Sequence, residues 1–265
     1  MSRPDPTLAS APAHERDSRE YGRAGLFGLL IPPANPTVEP EMRVLLPDGC
    51  ATLTSRLTSR GATLRERLAD YGTRLPEFVA SFGDIAFDAI GFACTGTSYL
   101  VDVDEDVHRR SAPGAHRRIP IITAAAAVEA ALATLGVRSI ALISPYPPWL
   151  TQACRAHWQQ RDLQVCATLQ LPTPAAGGHG IYAWTTRQLL EAVAGFDAAG
   201  ADAMLLAGTG MPTLRAILAL QRAGGPPVLS SNLCLAWALA GATGRAERGP
   251  ESRLLGGWSG RLTPT

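Results

Sequence analysis

The sequence contains the same strand-and-turn pattern twice, once in each half, and this repeat limits the folds open to the chain. In the first half, an apolar run from Ile85 to Phe92 leads into the turn Cys94-Thr95-Gly96. In the second half, an apolar run at 203–207 leads into Gly208-Thr209-Gly210, with glycine in place of the cysteine. An apolar run that ends in a turn of small residues is typical of a buried strand in an α/β protein. The repeat therefore predicts two α/β units of similar topology.

Two further pairs of segments extend the repeat. Ile31-Pro32 corresponds to 143–145, and the apolar segment 119–121 corresponds to 227–229. Between these segments, strand-like runs alternate with stretches whose apolar residues have helical spacing. Such alternation predicts parallel sheets covered by helices on both faces. We therefore expect an α/β fold of two pseudo-symmetric lobes, each a parallel sheet flanked by helices, with the active site between the facing strand ends.

The domain boundaries follow from the repeat and from local composition. Residues 1–23 are rich in Pro, Ala, Ser, Arg and Asp, which favours a disordered tail. The first lobe is expected to comprise 24–127 together with 227–250, and the second lobe 128–226. Residues 251–265 are expected to form a loose C-terminal tail.

Composition narrows the classes of function. A net charge of +1 gives no electrostatic case for binding nucleic acid or an anionic membrane. No apolar run approaches the roughly 18 residues that a membrane span needs. The histidines have no metal-ligand spacing, and the cysteines form no CxxC pair, so neither a metal site nor a disulfide framework is predicted. Reduced thiols in a cytoplasmic protein are the simplest interpretation. The five cysteines are Cys50, Cys94, Cys154, Cys166 and Cys234.

Cys94 is the candidate catalytic residue, and its position allows two interpretations. A free cysteine at the end of a buried strand is often an inert part of the core. At a pseudo-symmetric cleft, and followed by Thr and Gly, it also fits a thiolate beside an oxyanion-binding turn. The repeat favours the second interpretation, because it brings two such turns to the same cleft.

The other candidates lie in the turns that follow the equivalent strands. The backbone N–H groups and hydroxyls of the two Thr-Gly turns are suited to a carboxylate or to a doubly charged enediolate. Asn35 can bind a carboxylate through its amide, and Tyr146 can donate to an oxyanion. Ordinary turn residues would explain Asn35 and the glycines equally well, and a core position would explain Tyr146. The predicted substrate-binding residues are Asn35, Thr95, Gly96, Tyr146, Gly208, Thr209 and Gly210.

At these residues the chain resembles the aspartate/glutamate racemase superfamily, and most of all its maleate cis–trans isomerase and arylmalonate decarboxylase branch. The similar segments lie in the family's order between residues 25 and 240. They are 31–39 (IPPANPTVE), 93–98 (ACTGTS), Pro145-Tyr146 and Ser231-Asn232.

The resemblance implies roles for particular residues. Asn35 would bind a substrate carboxylate, as in maleate isomerases. Cys94 would be the nucleophile, whose thiolate adds to the double bond so that the C–C bond can rotate before elimination gives the trans diacid. It also implies that no cofactor is needed and that the partner is a small carboxylate substrate. It implies neither nucleic acid nor a membrane as a partner, and it leaves a homo-oligomer open.

Gly208 departs from the family pattern. Isomerases and racemases of the family carry a second cysteine there, whereas arylmalonate decarboxylase has its one cysteine in the second half and glycine in the first. This chain is the mirror image of the decarboxylase. We therefore expect isomerization of a maleate-like cis-dicarboxylate first, and decarboxylation of a substituted malonate, through an enediolate protonated by Cys94, second. The third hypothesis is that the protein binds a carboxylate without catalysing a reaction.

Overall fold

Two four-stranded parallel sheets with the same strand order form the framework of the protein. The computed structural model describes residues 19–101, 103, 119–172, 180–244 and 254–262. The first sheet has the order β2-β1-β3-β4 and the second the order β6-β5-β7-β8. The strands are β1 (Gly25–Ile31), β2 (Cys50–Arg56), β3 (Ala89–Phe92), β4 (Ile121–Thr123), β5 (Ser139–Ser144), β6 (Gln164–Gln170), β7 (Ala203–Leu206) and β8 (Val228–Ser230). The predicted α/β fold of two similar parallel-sheet lobes is confirmed.

Helices cover both sheets. The α-helices are α1 (Val38–Leu45), α2 (Leu64–Thr73), α3 (Leu75–Ala80), α4 (Thr95–Ser98), α5 (Ala124–Thr134), α6 (Pro148–Gln159), α7 (Thr186–Val193), α8 (Leu214–Arg222) and α9 (Ser231–Gly241). Two of them begin at threonines that form capping boxes: Thr63 accepts from Glu66 N before α2, and Thr185 accepts from Gln188 N before α7. Among the described residues, no helix has the length and apolar character needed to cross a membrane.

The central strands are apolar because both faces of each sheet are covered. Every residue of β3 and of β7 is buried, and β1 contributes Leu29, Leu30 and Ile31 to the core with no exposed surface. Near-continuous apolar runs are what buried parallel strands require. The strands β3 and β7 end two positions before Cys94 and Gly208, so the two repeated turns lie at the carboxyl ends of the central strands.

The segment 227–250 divides between the lobes, which differs from its expected assignment to the first lobe. Strand β8 pairs with β7, with Leu206 opposite Ser230, and so belongs to the second sheet. Helix α9 then crosses to the first lobe, where it packs against α1 and α5. Because α9 packs against α1, α5, β3 and β4 and also contacts β8, most of its residues are buried and it has almost no polar face.

The ends of the described chain are also packed. Arg19 donates to Ala86 O over 2.6 Å. Leu254 and Trp258 are buried, and Arg261 donates to Val44 O and Leu45 O at the end of α1, where helical carbonyls lack intrahelical partners. Residues 254–262 therefore do not form the loose tail that was expected. The remainder of both expected tails, 1–18, 251–253 and 263–265, lies outside the described residues.

Candidate active site

A cleft of about 500 Å³ lies between the two lobes at the carboxyl ends of their strands. Six of the eight predicted site residues line it, and Asn35 and Gly208 do not. The six are Cys94, Thr95, Gly96, Tyr146, Thr209 and Gly210. The fold thus brings the two repeated turns together around one space.

Cys94 is buried at the N-cap position of α4, and its surroundings favour the neutral thiol. Its Sγ lies 3.3 Å from Thr97 Oγ1, and the Thr97 hydroxyl donates to Leu68 O over 3.0 Å. Burial raises the pKa of the Cys94 thiol, while hydrogen bonds from Thr97 and from the backbone N–H of Gly96 act in the opposite direction. A charged thiolate at this position therefore needs help from a ligand or from a rearranged Thr97 hydroxyl.

The first turn is joined to the second lobe through a tyrosine. Thr95 Oγ1 lies 2.8 Å from Tyr146 Oη, and both groups are buried. Burial raises the pKa of Tyr146 well above its ordinary value, so the phenol stays protonated. The pair can therefore present a hydroxyl proton to an oxyanion in the cleft.

The second turn is joined to the first lobe by three hydrogen bonds. Thr209 Oγ1 donates to Ala93 O over 2.8 Å and accepts from Asn35 Nδ2 over 3.2 Å. The Thr37 hydroxyl donates to Gly210 O over 2.7 Å. Asn35 therefore lies behind Thr209, as seen from the cleft, and orients the Thr209 hydroxyl.

The backbone and its surroundings favour glycine at two positions of the second turn. Gly208 has φ +88°, in the left-handed region that disfavours side chains, and a Cβ there would lie 3.1 Å from Tyr146 Oη. Gly210 has an ordinary φ, but a Cβ at this position would collide with the ring of Tyr182. The ring of Tyr182 can cover the turn only because residue 210 has no side chain.

Sequence reasoning missed a buried carboxylate that connects the lobes. Glu41 accepts from Asn232 Nδ2 over 2.7 Å and from the backbone N–H groups of Thr213 and Leu214 at the start of α8. Asn232 Nδ2 also donates to Thr209 O over 3.0 Å, so this network reaches the cleft. Burial raises the pKa of Glu41. The available signal was an acidic residue on the apolar stripe of α1, which also contains Val38 and Leu45.

A side of the cleft formed by α2 was also missed. Leu64, Arg67, Leu68 and Tyr71 line the space with the spacing of one helical face. The signal was present in the sequence, because Arg67 interrupts an otherwise apolar stripe. Other lining residues are mostly aromatic or aliphatic and include Trp149, Leu150, Ile181 and Tyr182.

The described part of the chain holds no group of three His, Cys, Asp or Glu side chains that could bind a metal ion. Its five cysteines are all free. The described lining of the cleft offers one thiol, several hydroxyls, two backbone turns and one guanidinium.

Comparison with known proteins places these features in a family. Over 113 residues the chain is 33% identical to a maleate isomerase from Geobacillus stearothermophilus, and the match covers 42% of this chain and 44% of that protein. The chain thus matches less than half the length of this curated relative.

Two solved structures share the fold. A cysteine-to-serine variant of Nocardia farcinica maleate cis-trans isomerase, with a covalently bound succinylcysteine intermediate, has a TM-score of 0.70 at 21% identity over 82% of this chain and 92% of that chain. A double variant of arylmalonate decarboxylase in its liganded form has a TM-score of 0.72 at 24% identity over 84% and 94%. That variant replaces a glycine by cysteine and, 114 residues later, a cysteine by serine.

The separation of these two substituted positions equals that of Cys94 and Gly208. A family model described as arylmalonate decarboxylase matches residues 27–255, which is most of the chain. The resemblance inferred from the sequence motifs is thereby confirmed: the chain belongs to the arylmalonate decarboxylase family.

Proposed function

We propose that this protein is a cofactor-independent enzyme that isomerizes a small cis-dicarboxylate through addition of the Cys94 thiolate. The observation that carries the proposal is the position of Cys94, the one thiol among the described residues that line the cleft, between two turns that can bind a carboxylate. A buried thiol beside backbone N–H groups is suited to nucleophilic addition to an activated double bond.

The reaction balances without a co-reactant. After the thiol has given its proton to solvent, the sulfur forms a bond to one alkene carbon. The π electrons move into the neighbouring carboxylate, which becomes an enediolate held by the Thr95 and Thr209 turns. The central C–C bond rotates, the enediolate electrons re-form the double bond, and the S–C bond breaks. The thiolate is regenerated and the trans diacid leaves.

The relatives support a covalent cysteine mechanism. The Nocardia farcinica isomerase variant holds a succinylcysteine although one of its cysteines has been changed to serine. In that variant the adduct is therefore held without the substituted cysteine. Cys94 supplies one thiol here, while Gly208 supplies none, so addition and elimination remain available to this chain.

A second candidate function is decarboxylation of a substituted malonate, followed by protonation of the enediolate by Cys94. Two observations favour it: burial raises the pKa of Cys94, which keeps the proton needed for donation, and the cleft lining is largely apolar. One thiol on one face would then give a product of one handedness.

The five free cysteines agree with our further proposal that the protein works in a reducing, cytoplasmic compartment.

The two functions are tested by incubating the protein with maleate and, separately, with a phenyl-substituted malonate. Proton NMR in deuterated water follows the vinylic signals of maleate and fumarate, and a carbonate trap measures carbon dioxide. Fumarate without carbon dioxide supports the isomerase. Carbon dioxide from the malonate supports the decarboxylase. If neither fumarate nor carbon dioxide forms, both functions are contradicted.

A further inference from the structure

We propose that Arg67 binds the second carboxylate of the substrate and makes the site selective for dicarboxylates. This inference rests on the proposed function, because it assumes that one carboxylate of the same molecule lies at the two Thr-Gly turns beside Cys94.

Helix α2 holds Arg67 close to the nucleophile. The neighbouring residue, Leu68, accepts the hydroxyl proton of Thr97 over 3.0 Å, and Thr97 in turn contacts Cys94 Sγ at 3.3 Å. A Cβ added at Gly96 would lie 3.3 Å from the Leu68 side chain. The helix therefore packs directly on the catalytic turn, and Arg67 lines the same cleft one residue away.

The charge of Arg67 has no carboxylate partner among the described residues. Arg56, Arg74 and Arg161 each form an ion pair with a glutamate, at 2.6, 2.9 and 3.0 Å. Arg67 instead donates through Nη1 to two backbone carbonyls, Ala62 O at 3.0 Å and Gly61 O at 3.4 Å. These bonds anchor one side of the guanidinium and leave Nε and Nη2 without a protein acceptor in the described part of the chain.

The surroundings of Arg67 strengthen its attraction for an anion. The described lining of the cleft contains no Asp or Glu, and it is mostly apolar. A half-buried cation in such a place is screened less than one on the surface, so an anionic ligand gains more from it. The planar guanidinium can also hold a carboxylate with two hydrogen bonds.

Two tyrosines locate Arg67 and Cys94 on the same space. The electrostatic influence of both Arg67 and Cys94 reaches Tyr71, whose pKa is raised to about 12 mainly by burial. Both groups also influence Tyr182, and burial is the main cause of the raised pKa of this tyrosine. All four residues line the cleft, so the thiol and the guanidinium face the same space as the two tyrosines. A molecule with two carboxylates can engage the turns and Arg67 together.

The test measures binding and turnover separately. Calorimetry on a Cys94→Ser background gives the affinities for maleate and for its monoamide, which lacks one negative charge. Arg67→Met should weaken maleate binding about 10- to 100-fold, the usual cost of losing charge-assisted hydrogen bonds, and change monoamide binding less than about twofold. Arg67→Lys should recover part of the loss. Arg155→Met, at an exposed position of α6, removes the same charge and should leave both affinities unchanged.

Turnover of maleate by the protein with Cys94 intact decides the proposed function independently of these affinities. A selective loss of maleate affinity in Arg67→Met upholds the inference even if no fumarate forms. Equal affinities of the parent and Arg67→Met for maleate overturn the inference even if fumarate does form. An equal loss for maleate and its monoamide also overturns it, as does the absence of maleate binding by the parent.

Discussion

At the scale of single residues, the proposed chemistry depends on the Cys94 thiol, whose burial favours the protonated form in the protein without ligand. Cys94 is only 5% exposed, and burial is the main cause of its raised pKa. A nucleophile with a raised pKa is rarely ionised at neutral pH, but its thiolate is more reactive once formed. The protonation state of Cys94 therefore distinguishes the two candidate reactions.

The first prediction concerns the pH dependence of the reaction. For isomerization, kcat/KM should rise with pH through a pKa above that of an ordinary cysteine, because the thiolate is the reactive form. Thr97→Val should move this pKa higher still, because it removes the hydroxyl that, once turned away from Leu68 O, donates to the thiolate. The measurement is the pH profile of kcat/KM for both proteins. A profile that falls as pH rises through the same pKa would instead identify Cys94 as a proton donor.

The second prediction concerns Asn35, which acts through Thr209. Asn35→Ala and Thr209→Val should each weaken dicarboxylate binding, because each removes the Asn35–Thr209 hydrogen bond that joins the second turn to the first lobe. The double variant should lose little more than either single variant, since both changes remove one interaction. Calorimetry of the four proteins measures this coupling. Additive losses would mean that Asn35 contacts the ligand by itself.

At the scale of structural elements, the turn after β7 is built around a glycine in a left-handed conformation. We predict that Gly208→Cys lowers the free energy of unfolding by about 1–2 kcal/mol, because a side chain is strained at that φ. Urea denaturation measures the change. Gly241→Ala is the matched control, because its φ is not positive and no heavy atom would lie within 4 Å of its new Cβ. Equal stability of Gly208→Cys and the parent would show that the turn relaxes.

The backbone N–H groups at the start of helix α8 donate to a carboxylate from the other lobe, that of Glu41. Glu41→Ala should lower the free energy of unfolding by at least about 2 kcal/mol, because the N–H groups of Thr213 and Leu214 and the Asn232 amide would lose their acceptor in a buried place. Glu39→Ala, on the same helix, removes only an exposed ion pair with Arg56 and should cost less than about 1 kcal/mol. Chemical denaturation of both variants measures the difference, and similar losses would contradict a special role for Glu41.

Strands and helices differ in how far the sequence reveals them. The central strands β3 and β7 are predictable, because burial on both faces requires apolar runs. Strand β2 is not predictable in this way. It lies at the edge of its sheet, where it pairs with β1, and it carries exposed polar residues. Helix α9 is predictable as a helix, but its crossing to the other lobe is not, because no local pattern records which sheet a helix covers.

At the scale of the whole molecule, the repeat predicts two lobes and a cleft between them, and the structure has both. What the repeat cannot supply are the contacts that hold the lobes together. The Asn35–Thr209 and Glu41–Thr213 hydrogen bonds join residues more than 170 positions apart. Such pairs leave no periodicity in the sequence, so their partners appear only once the chain is folded.

The central claim is that Cys94, the one thiol among the described residues that line the cleft, performs the chemistry. The most direct test is the rate of fumarate formation from maleate, followed by proton NMR, for the parent, Cys94→Ala and Cys166→Ala. Cys166 is a half-buried cysteine on β6, so its loss controls for removal of a thiol elsewhere. The account predicts turnover by the parent and Cys166→Ala and none by Cys94→Ala, with circular dichroism showing that all three are folded. Fumarate formation by a folded Cys94→Ala protein at the rate of the parent would contradict it.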